Sequence, residues 1–453
     1  MHVKHLSLLN FRNYPKLELD FKAGKVLVLG RNGQGKTNLV EAIAYFDSLS
    51  SHRVSSDAPL FLQGNDTAVA RLQVTHQNTS PTLELEFRSR QAKKAQINGN
   101  PVKLRELTRW FTAVLFAPED LQIVRGEPSS RRTFLDGAIV TRNPYFAAVY
   151  KEYDRVLKQR TALLKSLRGA YKQPGVSETL EFWNQQLIDT GTRIMAERRL
   201  LVDQLQPRLE QAYQKLVAAD HRPQLSLKES AATGAAQYLP VAENVSRETS
   251  PHLTPQSREN LTAEFIAQLR RSERKEFERG MTLVGPHRDD LEISLNALPV
   301  KGYASHGESW SVALGLKLAF ADLLRDELAP EDPVLILDDV FAELDAARRA
   351  RLMSSVADYQ QVIVTAAVAE DIPTTTEWEI HVIRSGEVLQ TGRSSDPAEF
   401  FAGVIKNDEM RRKVIQHAVK QDQQSQLPLS QSEDDKEQQV RFEPILGERN
   451  AAE

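Results

Sequence analysis

Cysteine is absent from the 453 residues. That absence excludes disulfides, thiolate zinc sites, iron–sulfur clusters and a cysteine nucleophile together, and it fits a reducing, cytoplasmic setting. No long apolar run is present either. The strongest stretch, residues 312–324, is interrupted by Lys317 and Asp322, so no membrane-spanning segment is expected. The opening MHVKHLSLLNFRNY lacks the apolar core and small-residue cleavage site of a secretory signal. Neither sign of charge dominates, since 58 basic and 61 acidic residues leave a net charge of −3. With 41% apolar and 26% charged residues, the composition is that of a globular protein, and it argues against a fibre or a wholly disordered chain. The charge is uneven, however. Residues 421–453 hold eight acids and three bases, which leaves residues 1–420 at about +2. A mildly basic body can bind nucleic acid on one face, although the average alone does not establish it.

Hydrophobic periodicity divides what remains. Strands are expected at 3–11, 17–21 and 26–29, an amphipathic helix at 37–47, and further strands at 68–75 and 82–88. Asn98-Gly99 marks a tight hairpin turn. From about Pro144 the period becomes helical, over 145–167 and 179–217, with few breakers before Pro207. Residues 231–255 read as a long loop rich in Pro, Ser, Thr and Ala. Alternating strands and helices return after Met281: strands at 290–295, 334–337 and 362–365, helices at 309–325 and 346–357, and a strand pair over 379–389 turning at Ser385-Gly386. The polar segment beyond Lys406 is expected to be disordered past residue 421. An α/β domain split by a helical insertion accounts for this order.

Gly30-Arg31-Asn32-Gly33-Gln34-Gly35-Lys36-Thr37 fits G-x-x-x-x-G-K-[ST] in full, after a buried strand and before an amphipathic helix. Glycines let backbone N–H groups curl around phosphates, and the helix N-terminus adds a favourable field. Lys36 would reach the β- and γ-phosphates and Thr37 would ligate Mg²⁺. The run 333–337 is a buried strand ending in Asp338-Asp339. Alone, such an ending is more often a solvated strand end. Beside a phosphate loop, the first acid would hold Mg²⁺ and the second would polarise the attacking water. The strand 362–365 likewise ends in a polar residue, Thr365.

Ser305-His306-Gly307-Glu308-Ser309 leads into a helix, where a serine hydroxyl and free N–H groups could meet a phosphate. In isolation it is an ordinary N-cap. Its place between the phosphate loop and the paired acids, followed by the turn Leu344-Asp345, describes an ATP-binding-cassette ATPase.

Further pieces sharpen this: Leu9-Asn10-Phe11-Arg12-Asn13-Tyr14, Ser51-His52-Arg53, residues 116–121 (FAPEDL), 131–136 (RRTFLD), 285–291 (GPHRDDL) and LDDVFAELD. Across roughly residues 1–400 the chain resembles the RecF family of bacterial repair ATPases, relatives of SMC proteins. The resemblance implies an α/β fold, an ABC-type phosphate-loop ATPase head of mixed sheet and flanking helices interrupted by a helical second lobe. Expected boundaries are 1–110 and 276–405 for the head, 111–275 for the helical lobe and 406–453 for the tail. It implies ATP and Mg²⁺ as cofactors, with Gly30 through Thr37, Asn38, Ser305, Gly307 and Thr365 binding nucleotide. Thr37 and Asp338 would hold the metal, and Lys36 and Asp339 would be catalytic. It further implies single- and double-stranded DNA as partners, an ATP-dependent homodimer in which one copy's serine motif completes the other's site, and RecR and RecO as helpers in RecA loading and SOS induction.

The sequence departs from the wider cassette pattern in two places. Asp339 stands where most such ATPases carry Glu, as RecF-like chains have it, and the shorter acid suits slow hydrolysis. Ala304 and Glu308 stand where Leu and Gly or Gln are common. His287 with Asp289 and Asp290 could suggest a nuclease metal site, but a structural turn is the stronger expectation. Arg12 and Asn13 are open between a place near the nucleotide and a polar strand end. Arg88, Arg90, Lys93, Lys94, Arg125, Arg131 and Arg132 are candidate DNA phosphate contacts, or merely solvated charges. Two other classes compete. A transporter ATPase subunit keeps its two motifs far closer than the 269 residues between Lys36 and Ser305, and a nuclease-fused ATPase needs an additional acidic domain.

Overall fold

The computed structural model describes residues 1–168, 176–219, 221–232, 237–240, 247–248, 250–374 and 376–425. Its centre is a six-stranded sheet in the order Glu387–Ser394, Trp378–Arg384, Gly24–Leu29, Gln361–Ala366, Val334–Asp338, Ala113–Phe116. Every pairing is parallel except the first. Runs such as Val-Leu-Ile-Leu are apolar at every position because both faces of a parallel sheet are covered. Leu27, Leu29, Leu335 and Leu337 pack into a core shared with the helices, while Val26, Val28, Val334 and Ile336 pack into a second core. Helix Lys36–Ser48 belongs to that second core, together with an antiparallel sheet ordered Tyr14–Asp20, His2–Phe11, Thr67–Thr75, Thr82–Arg88, Lys94–Ile97, Asn100–Val102. Its strands alternate buried and accessible, as a sheet with one covered face should.

The insertion is largely helical: Pro128–Arg142, Phe146–Ser166, Val176–Val217 and Pro255–Arg279. The longest of these packs along His306–Leu328 and so ties the insertion to the central sheet. Gly191 permits close helix approach, because a Cβ there would sit 2.6 Å from the Phe265 ring.

Two expectations change. Ala113–Phe116 is an edge strand of the central sheet, so the head extends beyond residue 110. Strand Gln224–Lys228 pairs with Asp290–Leu295, so the insertion is not purely helical and one sheet crosses the expected boundary at 276. Contacts group Met1–Val404 as one compact unit and Ile405–Glu453 as another, beginning within helix Pro397–Ser425. The expected disorder past 421 falls mostly on residues 426–453, outside the described residues. Of the expected loop 231–255, residues 233–236, 241–246 and 249 lie outside them as well, while its end forms the short helix Pro251–Leu253 and the start of helix Pro255–Arg279.

Candidate nucleotide site

Register brings distant residues together. In the parallel sheet Asp338 lies beside Thr365, and Thr365 and Ala366 lie beside Val28 and Leu29, so three segments end at one edge. The chain leaves Leu29 into the glycine turn and enters helix Lys36–Ser48. Gly35 has φ 114°, and a Cβ there would lie 2.6 Å from the Asn13 amide and 2.8 Å from the Tyr14 hydroxyl. Only glycine fits. The turn is gripped from outside: Tyr14 Oη donates to Gly35 O at 2.9 Å and Asn13 Nδ2 to Gln34 O at 3.1 Å. Ser385 N donates to Gln34 Oε1 at 2.7 Å, and Gly386 N donates to Gln34 O at 3.1 Å. Arg31, Asn32 and Gly33 are exposed at the rim, whereas Lys36 is buried.

Lys36 Nζ lies 3.5 Å from Arg31 O and 3.9 Å from Asp339 Oδ1. Burial lowers its pKa, opposed by the two neighbouring carboxylates, Asp339 before Asp338. Asp338 Oδ1 accepts from Thr365 Oγ1 at 2.5 Å and from Thr37 Oγ1 at 3.3 Å. Burial pushes the Asp338 carboxyl up to about 6, against the Thr365 hydrogen bond and with further help from Asp339. Thr365 Oγ1 also accepts from Asp339 N at 3.0 Å, which holds Asp339 in a left-handed conformation, φ 51°. For a non-glycine residue that costs on the order of 1 kcal/mol and persists where neighbours enforce it. Asp339 too is raised by burial, against Lys36. A hydroxyl and a buried carboxylate converging at 3.3 Å are hard oxygen donors that suit Mg²⁺.

Ser305 and Gly307 sit elsewhere. Ser305 caps helix His306–Leu328: its Oγ accepts from Glu308 N at 3.2 Å, and Glu308 Oε2 accepts from Ser305 N at 2.8 Å. Glu308 thus closes a capping box, which explains its presence in the motif and lowers its pKa. The next residue, His306, receives Trp310 Nε1 at 2.9 Å and lies 3.2 Å from both Arg125 Nη1 and Glu343 Oε2. Among the described residues no hydrogen bond or ion pair joins this motif to the chain's own phosphate loop.

Residues 2–383 match the family model described as the RecF/RecN/SMC N terminal domain. The DNA replication and repair protein RecF of Leifsonia xyli subsp. xyli is 49% identical over 398 residues, covering 88% of this chain and 100% of the relative. Its counterpart from Clavibacter sepedonicus is 46% identical over 401 residues, covering 88% and 98%. The chain belongs to the RecF family. A solved structure of the recombination mediator protein RecF with ATP, in the RecFOR pathway, is 28% identical and superposes with TM-score 0.72 over 86% of this chain and 97% of that one. An ABC-type ATPase head that binds ATP follows from this membership and fold.

The motifs that carry the RecF resemblance turn out to be braces. Arg12 forks onto Glu41 at 2.8 and 2.6 Å, and Ser51 Oγ donates to the same buried carboxylate at 2.5 Å. Arg53 donates to Asn38 at 2.8 Å, while Asn38 donates to Asn13 at 2.8 Å, so Asn38 faces sideways and supports the loop. Asn13, unlike Arg12, touches the turn itself. His287 lies 2.7 Å from Tyr153 Oη, and Asp289 accepts from Ser230 N and Oγ at 2.7 and 2.9 Å. These bonds make a structural hub. Among the described residues no group of three or more His, Asp or Glu could hold a metal ion.

Most candidate DNA contacts are engaged internally. Arg131 grips Asp290 at 2.7 and 2.9 Å, Arg132 donates to Asp289 O at 2.7 Å, and Arg125 to Ser309 at 3.0 Å. Arg88 pairs with Glu86 at 2.7 Å and Lys93 with Asp57 at 3.0 Å. Arg90 and Lys94 stay exposed. The grip of Tyr14, Ser385 and Gly386 on the loop was the part that sequence reasoning missed. Its only signals were the run ending in Tyr14 and the Ser-Gly turn.

Proposed function

We propose that this chain is an ATP-gated DNA-binding protein of recombinational repair and replication. Gly30 through Thr37 and Asn38 would form the nucleotide pocket, Lys36 would face the β- and γ-phosphates, and Thr37 and Asp338 would hold Mg²⁺. Bound Mg²⁺ would neutralise phosphate charge. Asp339 would orient the attacking water, with Thr365 fixing both acids. The observation that carries the reading is the separation within one chain of a complete phosphate loop from a serine-capped helix that does not touch it. A second copy would supply Ser305 and Gly307 to the γ-phosphate, so ATP would join two molecules and hydrolysis would release them. Slow, DNA-stimulated hydrolysis would then act as a timer, and the ATP dimer would hold gapped or single-stranded DNA in the cytoplasm. The RecFOR setting of the solved relative supports RecR and RecO as partners, with RecA loading and SOS induction downstream. No helix among the described residues is long and apolar enough to cross a membrane, and family membership disfavours the transporter alternative.

DNA affinity measured with ATP, ADP and no nucleotide across a salt series tests this. Binding that needs ATP and falls steeply with salt is expected. Equal affinity in all three states would refute the gate.

A further inference from the structure

With most of the arginines flagged by sequence committed to internal pairs, the free positive charge lies elsewhere. Helix Pro255–Arg279 ends in Arg-Arg-Ser-Glu-Arg-Lys-Glu-Phe-Glu-Arg. Its acids are largely consumed. Glu276 is fully buried against Arg160 at 2.6 Å, and Glu278 pairs with Arg274 at 2.9 Å. Arg270, Arg271, Lys275 and Arg279 are all exposed, and among the described residues no ion pair takes any of them. Residues 271, 275 and 279 are spaced by four and therefore form one stripe.

The neighbouring helix, Phe146–Ser166, brings two more bases to the same end. Arg168 donates to Glu278 O at 3.2 Å and to Arg279 O at 3.0 Å, and Lys165 Cγ lies 3.3 Å from where a Cβ on Gly280 would be. Leu164, Leu180 and Phe277 pack beneath, and with the buried Arg160–Glu276 pair they make the platform rigid. Bases at the end of a helix complement its dipole, which accounts for Arg279 in the last turn and for Arg168 on the terminal carbonyls, but not for Lys275, which precedes that turn. Arg270 and Arg271 lie about two turns from the helix end, where that field has faded, and on that account they should not be there. Six cations gather at one end of the helical insertion, and within residues 270–279 only Glu273 among the acids has no ion pair to a described residue, a charge pattern that matches a polyanion with regularly spaced charges.

We infer that this end of the insertion, built on Lys165, Arg168, Arg270, Arg271, Lys275 and Arg279, is a contact surface for the phosphate backbone of DNA. The inference rests on the DNA-binding function proposed above. It assigns electrostatic affinity to residues that are no part of the nucleotide site, so the two are separable.

The test is the salt dependence of binding to a fluorescent duplex oligonucleotide with saturating ATP. The triple variant Arg271→Gln/Lys275→Gln/Arg279→Gln should lower the slope of log affinity against log salt by about 2 to 3, at about 0.9 per lost phosphate contact. ATP affinity should stay at the parental value, which also verifies folding. The charge-preserving Arg271→Lys/Arg279→Lys variant should keep the parental slope, because a backbone contact needs charge rather than a fork. A triple variant with the parental slope overturns the inference, even if it lost affinity for an acidic protein. A parental protein that ignores DNA at every salt concentration overturns the proposed function as well, so the two failures differ.

Discussion

Thr37 and Asp338, 301 residues apart in the chain, meet at 3.3 Å where helix Lys36–Ser48 begins beside the end of strand Val334–Asp338. The hydroxyl donates to a carboxylate that Thr365 already holds, leaving a small set of oxygens aimed at one point beside Lys36. Asp338→Asn should therefore remove the Mg²⁺-dependent part of ATP affinity. A loss of more than about 100-fold is expected, since even outer partners of a metal are worth 10–100-fold. Titration with ATP in Mg²⁺ and in EDTA measures it, and a variant that still distinguished the two would contradict the assignment.

Lys36→Met should abolish useful ATP binding while leaving the helix intact, because methionine retains helix propensity and removes the buried charge. Equilibrium binding of a fluorescent ATP analogue to the folded variant decides this. Asp339→Asn should instead preserve binding and slow single-turnover hydrolysis on the order of 100-fold, the scale of a positioned acid–base group. Hydrolysis at the parental rate would remove Asp339 from the reaction.

Tyr14→Phe deletes the hydroxyl that donates to Gly35 O at 2.9 Å. One such bond is worth about 1 kcal/mol, so ATP affinity should weaken by roughly 5-fold through a looser turn. Isothermal titration of the variant beside the parent checks it, and unchanged affinity would show that the turn holds its shape without this contact.

The phosphate loop, the paired acids and the serine cap were legible because each is a contiguous run whose chemistry depends on local spacing. Thr365 was expected at the nucleotide from the resemblance, but its hold on Asp338 and Asp339 comes from sheet register, which a single strand does not reveal. Ser385 and Gly386 grip Gln34 across 351 and 352 residues through backbone N–H groups, and no residue type announces a backbone donor. The strand Ala113–Phe116 escaped because four apolar residues fit a buried helix as well as a buried strand. Glu308 looked like a departure from the serine motif, yet it closes the capping box.

His381 provides a pH test. Burial depresses its pKa to about 4 from 6.5, its Nδ1 lies 3.0 Å from Thr391 Oγ1, and its Nε2, 3.9 Å from Glu379 Oε1, makes no hydrogen bond among the described residues. The unfolded chain takes up this proton first, so the contribution is fully present above about 6.5 and is lost as pH falls toward about 4. His381→Gln should flatten the decline in stability over that window by up to one proton, whatever its effect at neutral pH. Urea midpoints from pH 7 down to 4 (roughly the span set by those two pKa values) would measure the difference, and parallel profiles would contradict the neutral, buried imidazole.

Whether ATP joins two copies through Ser305 is the central claim. Ser305→Arg places a long side chain at the cap of helix His306–Leu328 and leaves each phosphate loop untouched. Sedimentation velocity of parent and variant, each with ATP and with ADP, tests it most directly. The account predicts a parental dimer with ATP only, and a variant that binds ATP yet stays monomeric. A variant that dimerised normally with ATP, or a parent indifferent to nucleotide, would contradict it.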